Sequence, residues 1–164
     1  MPAFSLAESH EVISRKAAAR SRLSNDLNGH PVEIGRSKPH RGIRASFDAL
    51  TNVLISNAQQ EREGLRRAIS EMLEFAEVLD LTGPVLKSAS EIQLQYGLSG
   101  QDSIVLALVI VDLDLKKSAE SCFLNRNARD FDNPSIREAL NTRACEFFGR
   151  FDDGLRYIKT RIET

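Results

Sequence analysis

Cysteine is scarce: Cys122 and Cys145 are the only two in 164 residues. That excludes the disulfide framework on which small secreted domains rely. Each stands in a short apolar run, ESCFL and ACEFF, the setting of a buried thiol that acts as a small core hydrophobe. Long hydrophobic runs are also missing. The most apolar stretch, residues 104–113, is interrupted by Asp112, whereas a bilayer-crossing helix needs about 20 apolar residues. Residues 1–15 hold no apolar signal core. These absences predict a cytoplasmic protein with no membrane partner. Net charge is nearly absent too, at −1, so no global field draws the chain to a polyanion. Neither glycine-rich phosphate loop, GxGxxG or GxxxxGK[ST], occurs. No internal repeat or low-complexity run is visible. His10, His30 and His40 do not stand at metal-ligand spacing with either cysteine.

What is present is ordinary globular material, 41% hydrophobic and 27% charged, of a length that predicts one domain over 1–164. Its charge is uneven. Residues 1–44 carry eight Lys and Arg against four acids, while the rest of the chain carries 14 against 19. A basic arm on an acidic body suits a polyanionic partner, although a solvated helix face accounts for it equally well. Arg15, Arg20, Arg22, Arg36 and Arg41 are the candidate nucleic-acid contacts.

Ser5-Leu6-Ala7-Glu8 has the form of a capping box and predicts a helix to about residue 27. Residues 28–44, with three Gly and two Pro, predict a loop. Apolar residues at three- and four-residue steps predict a long helix over 47–77, capped by Ser46 and broken near Gly64. A short strand is expected at 78–81, then a helix opened by Gly83-Pro84 and running to Tyr96. Ser99 caps an apolar helix over 101–113, which should be buried on most faces. Strands are expected at 120–124 and 145–148, separated by a helix starting at Asn133-Pro134 and followed by a last helix from Asp152. This alternation predicts an α/β fold with a parallel sheet and helices on both faces. In such folds, sites form beyond the C-terminal ends of strands. Glu8, Asp102 and the turn Asn125-Arg126-Asn127 with Asp130 are the polar residues so placed.

The runs LSGQDSIVLALVIVDL, CFLNRNARDF, DNPSIREAL and ACEFFGRFDDGLRYI resemble the second half of a PIN-like domain. Asp102 falls on that family's acid at the start of a buried helix. Asn125 falls on the hydroxyl position of its polar turn and Asn127 on the acid position of that turn, and Asp130-Phe131 matches its Asp-Phe pair at one extra residue. FSLAES resembles the segment that carries its characteristic Glu, giving that role to Glu8.

The resemblance implies a Rossmann-like parallel sheet and metal-dependent cleavage of phosphodiesters, usually of RNA, as in the toxins of bacterial toxin–antitoxin pairs. Glu8, Asp102, Asn127 and Asp130 would be the catalytic set, with Glu8, Asp102 and Asn127 holding Mg²⁺ or Mn²⁺. Such ions activate water and shield the charge of the transition state, and Mg²⁺ prefers carboxylate oxygens. The family's first strand, which ends in an Asp, is not found before Phe4, and Asn127 is neutral where many relatives carry an acid. The expectation is therefore an N-terminally truncated PIN-like domain, weak or inactive as an endoribonuclease. Open sheet edges would favour a homodimer, and RNA or an antitoxin-like protein would be the other partners. The rival expectation is a non-catalytic module of the same fold that binds nucleic acid or protein.

Overall fold

The computed structural model describes residues 1–34, 43–117 and 120–162. Two compact units divide the chain: Met1 with Ser5–Val78, and Pro2–Phe4 with Leu79–Thr164.

The first unit is built on two long helices, α1 (Ala3–Ile34) and α2 (Ile43–Leu73). Their partners run in opposite directions along the chain. Arg20 meets Glu61, and Thr51 Oγ1 donates to Asn28 Oδ1 at 3.3 Å. The two helices are thus antiparallel. On α2 the less exposed residues are Phe47, Thr51, Leu54, Ala58, Glu61, Leu65, Ile69 and Met72. On α1 they include Ile13, Ala17, Arg20, Ser24 and Leu27. Steps of three and four alternate, the spacing of a coiled-coil seam. The seam is thin, because its buried members are the small residues Ala17, Ser24 and Thr51.

Several boundaries differ from those expected. Helix α1 begins at Ala3, so Ser5 lies inside it and accepts from Ser9 Oγ instead of capping the helix. The expected loop is helical as far as Ile34, through Gly29 and Pro31, and residues 35–42 lie outside the described residues. A proline inside a helix costs one backbone donor and crowds the preceding turn, a penalty that local rules overestimated here. Helix α2 starts upstream of Ser46 and passes Gly64 without a break. A glycine in a helix interior costs only about 0.5–1 kcal/mol relative to alanine.

The second unit follows the expected order apart from a short helix, α5, that was not expected: α3 (Gly83–Tyr96), α4 (Gly100–Lys116), β1 (Ser121–Leu124), α5 (Ala128–Phe131), α6 (Pro134–Asn141), β2 (Cys145–Phe148) and α7 (Phe151–Ile162). Local chemistry sets the boundaries. Pro84 sits in the first turn of α3, and Gly97 closes that helix at φ 68°, a left-handed conformation that suits glycine. Ser99 Oγ accepts from the Asp102 amide at the start of α4. Asn133 Oδ1 accepts from the Ser135 amide at the start of α6, where Pro134 takes the first helical position. Helices α3 and α4 pack together. Val105, Leu106, Ala107, Leu108, Ile110 and Leu113 of α4 are buried, as its all-round apolar pattern required.

The Rossmann-like parallel sheet with helices on both faces is not what forms. The described residues are mostly helical, and their sheet has two strands, β1 and β2. Those two pair in parallel, Ser121 with Cys145 through Leu124 with Phe148. The segment 78–81 contributes a single parallel bridge, Leu79 with Pro2. The misreading has a physical cause. Short apolar runs such as VLDL look alike whether or not a neighbouring strand exists to pair with them. In this chain two helices of 32 and 31 residues occupy most of the first half, leaving no named strand among the described residues there to extend the sheet.

Candidate functional site

Both strands of the second unit end at one edge, and the polar residues that follow them gather there. After β1, the Asn127 amide N–H donates to Asn125 Oδ1 at 2.9 Å, closing a tight turn. The Asn127 carbonyl accepts from the amides of Asp130 and Phe131 and so opens α5. Phe131 is fully buried, edge-on to Phe123 at 5.2 Å and near Phe147 at 6.4 Å. This anchor in the core fixes the turn, and with it the direction of the neighbouring Asp130.

Asn127 Nδ2 then donates to Asp130 Oδ2 at 2.7 Å and to Asp102 Oδ1 at 3.2 Å. Asp102 comes from the start of α4, 25 residues upstream of Asn127. Its other oxygen accepts from Ser99 Oγ at 2.6 Å. Three residues expected at the site, Asp102, Asn127 and Asp130, are therefore brought together by one amide group. Glu8 is exposed on α1, in the other unit.

The residues as they stand do not fit a firmly held Mg²⁺. The amide presents N–H donors toward the two carboxylates, at the point where a cation would be met by an oxygen donor. Among the described residues no group of three or more His, Cys, Asp or Glu side chains is placed to hold a metal ion.

No protein-family model, curated protein or solved structure matches the chain.

The candidate nucleic-acid contacts fare unevenly. Arg15 and Arg22 are exposed on α1. Arg20 is half-buried and committed to Glu61 through two hydrogen bonds of 2.7 and 2.8 Å. That partner raises the Arg20 pKa and lowers that of Glu61, so the pair stays ionised and Arg20 is poorly placed to meet a phosphate. Arg36 and Arg41 lie outside the described residues. Among the described residues no helix is long and apolar enough to cross a membrane.

Sequence reasoning passed over the segment after β2. Gly149, Arg150, Phe151 and Asp152 line, with Arg126, a cleft of about 490 Å³. The rule that led to Asn125 and Asn127, to look just past the C-terminal end of a strand, applies equally to Gly149 and Arg150.

Proposed function

We propose that the second unit is a PIN-type phosphodiester site that binds RNA with little or no cleavage. One observation carries this reading: Asp102, Asn127 and Asp130, matched to that family's motifs, meet at a single amide group. The same observation argues against turnover. Asn127 supplies donors where an acid would supply a third carboxylate, so the two carboxylates are engaged by an amide.

Replacing Asn127 by Asp is the informative test. It removes the donor and adds a third carboxylate at the point where the other two converge. Like charges so close repel, so Asn127→Asp should destabilise the apo protein and gain a thermal-shift response to Mn²⁺ that the wild type lacks. A variant that Mn²⁺ does not stabilise would sink the reading. Wild type and Asp102→Asn, incubated with single-stranded RNA and Mn²⁺, should both cleave at background. Strong cleavage lost in Asp102→Asn would show an active nuclease instead.

A second reading, a protein-interaction module, is favoured by the first unit. Leu23 of α1 and Leu50, Val53 and Ile55 of α2 are about half exposed, apolar surface that a partner would remove from water. A homodimer or an antitoxin-like partner would cover it. Light scattering at micromolar concentration showing only monomer would remove the homodimer.

A further inference from the structure

The cleft past the strand ends is lined by Arg126, Gly149, Arg150, Phe151 and Asp152. It adjoins the acidic network directly, since Arg126 stands between Asn125 and Asn127. Gly149 makes this adjacency possible. A methyl group at that position would lie 2.9 Å from Ala128 Cβ, so only a residue without a side chain lets the turn after β2 approach the start of α5.

The two guanidinium groups come from different strand ends, and neither is firmly engaged. Arg126 is exposed and has no ion-pair partner among the described residues. Arg150 lies 3.7 Å from Asp152 and 3.8 Å from Asp153, longer than a charge-assisted hydrogen bond. Its side chain is 76% exposed. Phe151, beside them, is 56% exposed. A large aromatic ring left in water next to two loosely held arginines is the combination that single-stranded nucleic-acid sites use: cations for the backbone and a flat apolar face for a base. The volume is in the range of small-ligand clefts.

We propose that Arg126 and Arg150 position one phosphate of a single-stranded polynucleotide beside the Asp102–Asn127–Asp130 network, with an adjacent base stacked on Phe151. This rests on the phosphodiester reading above and assigns it three positioning residues. Recognition is independent of base identity, because every base has a stacking face and every nucleotide a phosphate. Asp152, which shares the cleft, opposes the phosphate and lowers affinity.

The experiment uses the whole chain in EDTA, where no metal-dependent cleavage intervenes, and a fluorescein-labelled ten-nucleotide oligouridylate read by anisotropy. Arg126→Ala and Arg150→Ala should each weaken binding, and the double variant should also lower the slope of log affinity against log salt by about 0.7, the share of the one phosphate then no longer neutralised. Phe151→Ala should weaken it roughly tenfold. Asp152→Asn should tighten it, and Arg156→Ala, outside the cleft, should leave it unchanged. The chain has no tryptophan, so Phe151→Trp adds a single fluorophore; it should keep the affinity and be quenched by the oligonucleotide. A purely structural role for Phe151 would not produce that quenching. Absence of binding, or equal affinities for wild type and both arginine variants, would overturn the proposal. Binding through these residues with no Mn²⁺ response in Asn127→Asp would leave this inference standing and sink the PIN-type reading. The reverse pattern would do the opposite.

Discussion

Arg20 and Glu61, 41 residues apart, face each other in the seam between α1 and α2 through two hydrogen bonds, Nη1 to Oε2 and Nη2 to Oε1. This fork-to-carboxylate geometry fixes the relative register of the two helices, which the small residues Ala17, Ser24 and Thr51 do little to specify. Arg20→Ala and Glu61→Ala should each lower the thermal midpoint followed by circular dichroism. The charge-swapped double variant should recover part of the loss. The Glu61 carboxyl is held below its ordinary range by the arginine hydrogen bond. Its contribution is therefore present above the unfolded carboxyl pKa and lost as pH falls through the lowered folded value. A midpoint equally acid-sensitive in wild type and Glu61→Gln would show that the pair is incidental.

The centre of α4 is deeply buried, with Leu106 and Ala107 inaccessible and Leu108 2% exposed. Leu108→Ala should cost about 2–5 kcal/mol, the range for a core leucine whose cavity collapses only partly. Urea denaturation measures it, and an unchanged midpoint would make the helix peripheral.

How much of this was legible in the sequence depends on how local the signal is. Ser99, Asn133, Pro84 and Pro134 act within one helical turn, and they announced the starts of α3, α4 and α6 to within a residue. Cys145–Phe148 was readable because CEFF alternates buried and exposed side chains. The sheet was not readable, since strand pairing is decided by residues far away: VLDL has the pattern but only Pro2 beside it. The meeting of Asp102, Asn127 and Asp130 could be expected from the motif resemblance. That Asn127 donates to both acids could not, because composition does not say which side of an amide faces a carboxylate. Arg150 and Phe151 were overlooked because the family motifs consist of acids and amides, not cations.

Ala144, just before β2, holds φ at 53°. A side chain in this left-handed region costs roughly 1–2 kcal/mol, which glycine avoids. Ala144→Gly should therefore stabilise the protein by about 1 kcal/mol, after allowance for the greater freedom glycine gives the unfolded chain. A lower denaturation midpoint would mean that the methyl group contributes packing that outweighs the strain.

Cys145 is 2% exposed, and burial, helped by the nearby Cys122, pushes its thiol from 9.0 up to about 11. A raised folded pKa means that the unfolded chain loses its proton first. The thiol's contribution is thus complete below pH 9 and declines toward pH 11. The thermal midpoint should fall across that window, and less steeply in Cys145→Ala. At neutral pH iodoacetamide should leave Cys145 unmodified in the native protein, since the thiolate is the reacting form. Rapid native-state labelling at Cys145 would contradict its burial.

The contrast between the thin seam of α1 with α2 and the continuous core of the second unit bears on cooperativity. Among the described residues the apolar core cluster runs from Val85 to Phe147, entirely within the second unit, while the first unit buries only Ala17, Ser24 and Thr51. Opening the helix pair exposes little apolar surface, so its free energy lies well below that of global unfolding. Amide protons of α1 and α2 should exchange by sub-global opening, while those of α4 and the β1–β2 ladder wait for complete unfolding. The chain then behaves as two foldons of unequal depth, and a single melting curve averages a shallow transition with a steep one.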